Sequence, residues 1–260
     1  MAEVRLSPPV ELHTVDIPAG TVTVVRDDLL PGGTKQRALI PYLQARRGRG
    51  TSTFVYASPA PGFAQVALAH VCALLGTRCV VFAELLDGEP HPHSLLAHEY
   101  GAEIIACPSL AEATTAAEAF AAEAAGRWAA PLGFGDAQFG SCLREQIARE
   151  WHFIGERANP VPTRVWAPVG SGTLVTALRR ALPGEVHLEC LDVGVLDPAD
   201  RRLRALAALP GVSVRRSSQP FLRPCDDPPP IPSNSHYDAK LWPLIREHAA
   251  HGDLWWNVAK

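Results

Sequence analysis

Short apolar runs alternate with longer amphipathic or alanine-rich stretches along most of this chain. "GTVTVVRDDL" (residues 20–29) is β-branched and ends in charge, which predicts a strand. Residues 35–46 have helical composition, and Pro41 is expected to bend or interrupt that helix. "TFVYAS" (53–58), "RCVVFAE" (78–84) and "AEIIACP" (102–108) read as strands that are apolar on both faces. Between them, "GFAQVALAHVCALLGT" (62–77) predicts a mostly buried helix with a glycine stop at Gly76, and "PHSLLAHEYG" (92–101) a short helix ending at Gly101. "SLAEATTAAEAFAAEAAG" (109–126) predicts a helix with Ser109 as N-cap and Glu112 three residues on, a capping-box pattern.

The second half repeats the alternation. After the glycine- and aromatic-rich "APLGFGDAQFGS" (130–141) a long helix is expected to about Arg157. "TRVWAPV" (163–169), "EVHLECLDV" (185–193) and "GVSVRRS" (211–217) read as strands, with helices at "GTLVTALRRAL" (172–182) and "PADRRLRALAAL" (198–209). The proline-dense 219–232 cannot hold regular structure. The chain closes with a helix in 237–252, kinked or started near Pro243, and the strand "DLWWNV". In that strand the two tryptophans face opposite sides, one toward the core and the other free to line a pocket.

Doubly apolar strands separated by helices predict an α/β fold of two lobes, each a mostly parallel sheet covered by helices on both faces. Residues 50–130 are expected to form the smaller lobe. Residues 1–49 and 131–260 form the larger, discontinuous one, because the N-terminal strands and first helix pack back onto it.

Composition narrows the class. Hydrophobic residues make up 47% of 260, enough for a sizeable core. A net charge of -3 does not suit a protein built to coat nucleic acid. Basic runs such as "QARRGRG" (44–50) and "DRRLR" (200–204) read first as solvated faces. The six cysteines form no CxxC pair and sit mostly in apolar runs, as reduced core residues of a cytosolic protein would. The first residues lack the apolar stretch of a secretory signal, and no run reaches the ~18 residues that span a bilayer. A cytoplasmic location and no membrane partner are the expectation. His91, His93 and His98 have no acidic or cysteine ligand at recognised spacing, so no metal is expected.

Two local features carry chemistry. Lys35 stands behind two glycines at the start of a helix. Gly170–Ser171–Gly172–Thr173 lies at a strand-to-helix turn, where small residues let backbone N–H groups and hydroxyls converge on an anion. The turn is neither GxGxxG nor GxxxxGK[ST], so a dinucleotide or nucleoside triphosphate fits poorly. A lysine at one helix start and an anion cup at another suit pyridoxal 5′-phosphate (PLP): the amine takes the aldehyde as a Schiff base and the cup takes the phosphate.

On these residues the chain resembles the fold-type II PLP enzymes, the tryptophan synthase β-like superfamily. It is most similar to the branch of aminocyclopropane-carboxylate deaminase and D-cysteine desulfhydrase. "VVRDDLLPGGTKQRAL" looks like that branch's lysine segment, "YGAEI" its GAE, and "GSGT" its phosphate cup. "SHYDAKLWPLI" looks like its Y-[TD]-G-K-A segment, and "LWWNVAK" falls on its last strand. The resemblance implies Lys35 as Schiff-base lysine, Gly170, Ser171, Gly172 and Thr173 around the phosphate, Tyr237 at the active-site rim and a homodimer.

Departures from the family pattern accompany the match. The chain is short for the family, which implies trimmed loops. Thr34 replaces the usual asparagine. Ala60, Pro61 and Gly62 stand where the family's carboxylate loop has Asn or Ser–Asn, so either Ser58 substitutes or the loop no longer grips a free α-carboxylate. Val258 lies where the family has threonine, leaving Asn257, Tyr237 or another residue to face the pyridine nitrogen.

The implied activity is a reaction at Cα of an amino-acid-like substrate through an external aldimine: deamination, elimination or decarboxylation. A second expectation takes the substrate as an amino-acid-modified thymine in DNA, as in compact phage members of the superfamily, in host cytoplasm. A third, of another class, is a non-catalytic relative serving as a binding module.

Overall fold

The computed structural model describes residues 7–260. In chain order its elements are β1 (Leu12–Ile17), β2 (Gly20–Arg26), α1 (Gly33–Arg47), β3 (Thr53–Ser58), α2 (Ala64–Leu75), β4 (Arg78–Glu84), α3 (Pro92–Glu99), β5 (Glu103–Cys107) and α4 (Leu110–Ala122). They continue with β6 (Arg127–Ala130), α5 (Ala137–Arg157), β7 (Arg164–Val169), α6 (Thr173–Ala181), β8 (His187–Asp192), α7 (Arg201–Ala207), β9 (Val212–Arg216), α8 (Trp242–His248) and β10 (Leu254–Asn257). The chain divides into two compact units. One holds Lys35–Cys142; the other holds Pro8–Thr34 with Leu143–Lys260.

The first unit is a four-stranded parallel sheet in the order β5-β4-β3-β6. Because side chains alternate along β3, Val55 and Ala57 join Val80, Phe82 and Cys107 under α4. Phe54 and Tyr56 point to the other face. There Trp128, the register partner of Phe54, meets Tyr42 of α1 edge-on. The helix stops work as their residues dictate. Gly76 takes the left-handed conformation after α2, and its N–H and that of Thr77 return to the carbonyls of Ala73 and Cys72. Ser109 caps α4 by accepting from the Glu112 N–H.

The second unit is a six-stranded sheet in the order β1-β2-β10-β7-β8-β9, parallel except for the β1–β2 hairpin. One face buries Val22, Val24, Trp166, Leu191 and Trp255 against α8, with Trp242 stacked on Trp255. The α/β class and the parallel, helix-covered sheets are those the hydrophobic pattern predicts.

Three local expectations need correction. Helix α1 runs through Pro41 rather than breaking there, because its face of Ala38, Leu39, Tyr42 and Leu43 is wholly buried and packing outweighs one lost backbone bond. Strand β6 escapes the sequence reading: it is four residues long, mostly half-buried and at a sheet edge. Neither tryptophan of β10 is free of the core. Both are fully buried, and Trp256 donates to Asp27 Oδ2 at 3.1 Å and Thr34 Oγ1 at 3.2 Å.

Trp256→Phe keeps an aromatic ring but removes that donor. It is expected to lower the free energy of unfolding by about 1–3 kcal/mol, read from urea denaturation followed by circular dichroism.

Candidate active site

The second unit builds one part of the site around the turn from β7 to α6. Gly172 takes φ +84°, a conformation that turns the chain into the helix, and a Cβ there would lie 2.8 Å from Leu206. Ser171 Oγ and Thr173 Oγ1 lie 3.0 Å apart, two hydroxyls converging at the first turn of α6. The N–H groups of Ser171 and Gly172 have no backbone partner among the described residues. At Gly170, a Cβ would fall 2.2 Å from the Tyr237 hydroxyl. Only glycine lets that phenol close on the turn, where the Gly170 N–H faces its oxygen. Burial pushes the phenol's pKa well above its ordinary range, with the Asp238 and Asp192 charges adding to the rise.

Tyr237 is held by its own segment. Its N–H returns to Asn234 O, and the Asn234 N–H donates to Ala259 O. Next in sequence, Asp238 is fully buried and accepts from the Val258 N–H at 2.8 Å and the Ala259 N–H at 3.2 Å. Burial dominates over those two bonds and pushes the carboxyl up to about 8. Asn257, also buried, donates to Pro232 O at 2.9 Å and accepts from Ser233 Oγ at 3.0 Å. Lys240 donates to the carbonyls of Pro220 and Phe221, so the proline-rich loop is fastened at both ends.

The same unit fixes the peptide leading into Lys35. Thr34 donates its N–H to Val258 O at 3.1 Å and its hydroxyl accepts from Trp256. Arg26 grips Asp28 through two bonds of 2.7 and 2.8 Å, both side chains buried. In this 3₁₀ turn Asp28 thus makes a local pair, whereas the Asp27 carboxylate accepts from the distant Trp256.

In the other unit Lys35 sits in the first turn of α1, half-buried, while every other residue of 32–40 is buried. The loop from β3 to α2 begins with Ser58, buried, whose hydroxyl donates to Pro59 O at 3.0 Å. Pro61 O is met by His93 Nδ1 at 3.2 Å, and His93 packs edge-on to Phe63. A separate cavity of about 340 Å³, lined by Arg46, Glu118, Trp128 and Asp136 among others, holds none of the candidate cofactor or catalytic residues.

Within the second unit the fold therefore brings Tyr237 onto the Gly170–Thr173 turn. It places Asn257 beside the proline-rich loop. Within the first it sets Lys35 and Ser58 on different elements. Sequence reasoning missed Asp238, whose only signal was its place after Tyr237, and Gln65 and Glu84, whose partners lie in a loop and at a helix start.

Comparison with known proteins follows the same lines. The model of the family "Pyridoxal-phosphate dependent enzyme" matches residues 3–192. No match was found among the curated proteins. Among solved structures, an ACC deaminase homologue is 16% identical with a TM-score of 0.76, covering 98% of this chain and 90% of its own. O-ureido-L-serine synthase is 19% identical with a TM-score of 0.67, at 95% and 87% coverage. Diaminopropionate ammonia lyase from Escherichia coli is 14% identical with a TM-score of 0.69, at 99% and 84% coverage.

Folded Asp238 keeps its proton to about pH 8, whereas unfolded it loses it near 3.8, so the native state binds more protons between those values. Stability from this group is present at low pH and declines as pH rises through that window. Thermal melts from pH 5 to 9 should show the decline, and Asp238→Asn should flatten it.

Proposed function

The chain belongs to the pyridoxal-phosphate dependent enzymes, and from that premise we propose that it acts at Cα of a small amino-acid-like substrate. Its cofactor is pyridoxal 5′-phosphate. The observation that carries the reading is the β7–α6 turn: two glycines, two converging hydroxyls and backbone N–H groups at a helix start, closed by a half-buried tyrosine. Such a turn supplies donors and a positive helix end to a phosphate.

In this proposal Lys35 holds the cofactor covalently through its amine, and Gly170, Ser171, Gly172 and Thr173 hold its phosphate. When bound, the cofactor's ring accepts the electron pair left at Cα as one bond there breaks. Lys35, released by the incoming amine, then holds and returns the proton at Cα. Tyr237, a neutral phenol that burial keeps protonated, can donate from its hydroxyl beside the turn. For the ring nitrogen we put forward Asp238: its oxygens accept from the Val258 and Ala259 N–H groups, and its carboxyl retains a proton near neutral pH with which it can donate, whereas the Asn257 amide is bonded at its oxygen and its nitrogen. Asn257 then acts by positioning the 232–233 loop. Ser58 is left with a hydroxyl oxygen that can still accept.

The structural neighbours include a lyase and two named for deamination or synthesis, which supports a small amino-acid partner. Elimination or deamination is the reaction class we favour. Decarboxylation, and an aminoacylated pyrimidine in DNA, are separate outcomes of the same substrate titration. A homodimer is proposed as well, to be read by light scattering.

The purified protein should show a visible absorption band after addition of pyridoxal 5′-phosphate. Lys35→Ala should abolish the band and the activity; a band unchanged in that variant would refute the lysine's role. Ser171→Ala combined with Thr173→Ala should weaken cofactor binding ~10–100-fold, the cost of lost hydrogen bonds to a charged group. Asp238→Ala should keep the Lys35-dependent band and lower kcat.

A further inference from the structure

Along residues 58–62, between β3 and α2, the hydrogen-bond donors are already spent. Pro59 and Pro61 carry no N–H. The Ala60 N–H donates to Glu84 Oε2 at 3.2 Å, and the Gly62 N–H to Pro59 O at 2.9 Å. The Ser58 hydroxyl is turned onto Pro59 O. The other Glu84 oxygen accepts from the Leu110 N–H at 3.1 Å, which fixes the carboxylate beside the loop. A loop that binds a carboxylate needs converging N–H groups with nothing else to bond. This stretch gives one N–H to Glu84 and keeps none for a ligand; the N–H groups without a backbone partner among the described residues lie beyond it, at residues 63–65 where α2 starts, and a second carboxylate beside the loop would meet like charge.

What the loop offers instead is an acceptor. Gln65 is wholly buried in the first turn of α2. Its Nε2 donates to Gly62 O at 3.0 Å, which sets the amide's orientation, since the reverse would oppose two carbonyl oxygens. Its Oε1 is then buried with no partner among the described residues. Native structures rarely leave such an atom unpaired, and a ligand's donor is one way to complete it.

We propose that this loop takes a neutral hydrogen-bond donor rather than a carboxylate, so that the substrate is an amino acid whose carboxyl is condensed to nitrogen, a carboxamide, with Gln65 Oε1 accepting from its N–H. The inference rests on the reading of the chain as a PLP enzyme acting at Cα, with this loop holding the group next to Cα. It selects against free amino acids and against esters, which are neutral but bring no donor.

The test is calorimetric binding of alanine, alaninamide and alanine methyl ester, in both enantiomers, to the protein as purified and after reconstitution with pyridoxal 5′-phosphate. The carboxamide should bind at least ~10-fold more tightly than either other compound, the scale of one well-placed hydrogen bond to a buried group. Gln65→Met should bring the carboxamide down to the ester's affinity. If that variant does not fold, the ranking in the wild-type protein decides. Alanine binding as well as alaninamide, equal binding of amide and ester, or no binding of the carboxamide overturns the proposal. Failure of the PLP reading itself shows separately, as the absence of a Lys35-dependent visible band.

Discussion

A buried carboxyl is expensive, and in the second unit the site is arranged around one. Among the described residues Asp238 has no basic partner at its oxygens; it takes two backbone N–H groups from Val258 and Ala259. Those two bonds tie the segment carrying Tyr237 to the end of β10, and Asn234 and Asn257 add further bonds between the same stretches. Backbone donors are fixed in position, so they satisfy the carboxyl without the side-chain entropy that a lysine or arginine would lose. The result is a rigid platform on which the phenol closes over Gly170.

The same strand end also holds the residue that precedes Lys35 in the chain. Val258 O and the Trp256 indole hold Thr34, the residue before Lys35. The role proposed for Lys35, holding a cofactor and then carrying a proton, needs a mobile side chain on an immobile backbone. The bonds at Thr34 fix the backbone, while Lys35 itself keeps partial exposure among buried neighbours.

The loop at 58–62 shows the opposite economy. Two prolines, one bond within the loop and one to Glu84 take up the N–H donors of residues 59–62, and the cost is an acceptor on Gln65 with no partner among the described residues. A ligand that supplies a donor would recover that cost on binding, which couples recognition to the loop's own strain in hydrogen bonding.

The two-lobed alternation, the helix stops at Gly76 and Ser109, the lysine behind its glycines and the GSGT turn were legible because each is local. Periodicity, capping and a glycine's conformational freedom act within a few residues of sequence. Strand β6 and the intact helix through Pro41 were not legible, since an edge position and a buried face are properties of neighbours supplied by distant segments. Asp238, twenty residues from the N–H groups that hold it, gave no signal beyond its adjacency to Tyr237. The sequence alone thus determined the class of fold and the chemistry available to it. Only the tertiary structure decided which polar groups are already paired and which still want a partner, because desolvation and hydrogen bonding depend on what surrounds an atom in space, not on what precedes it in the chain.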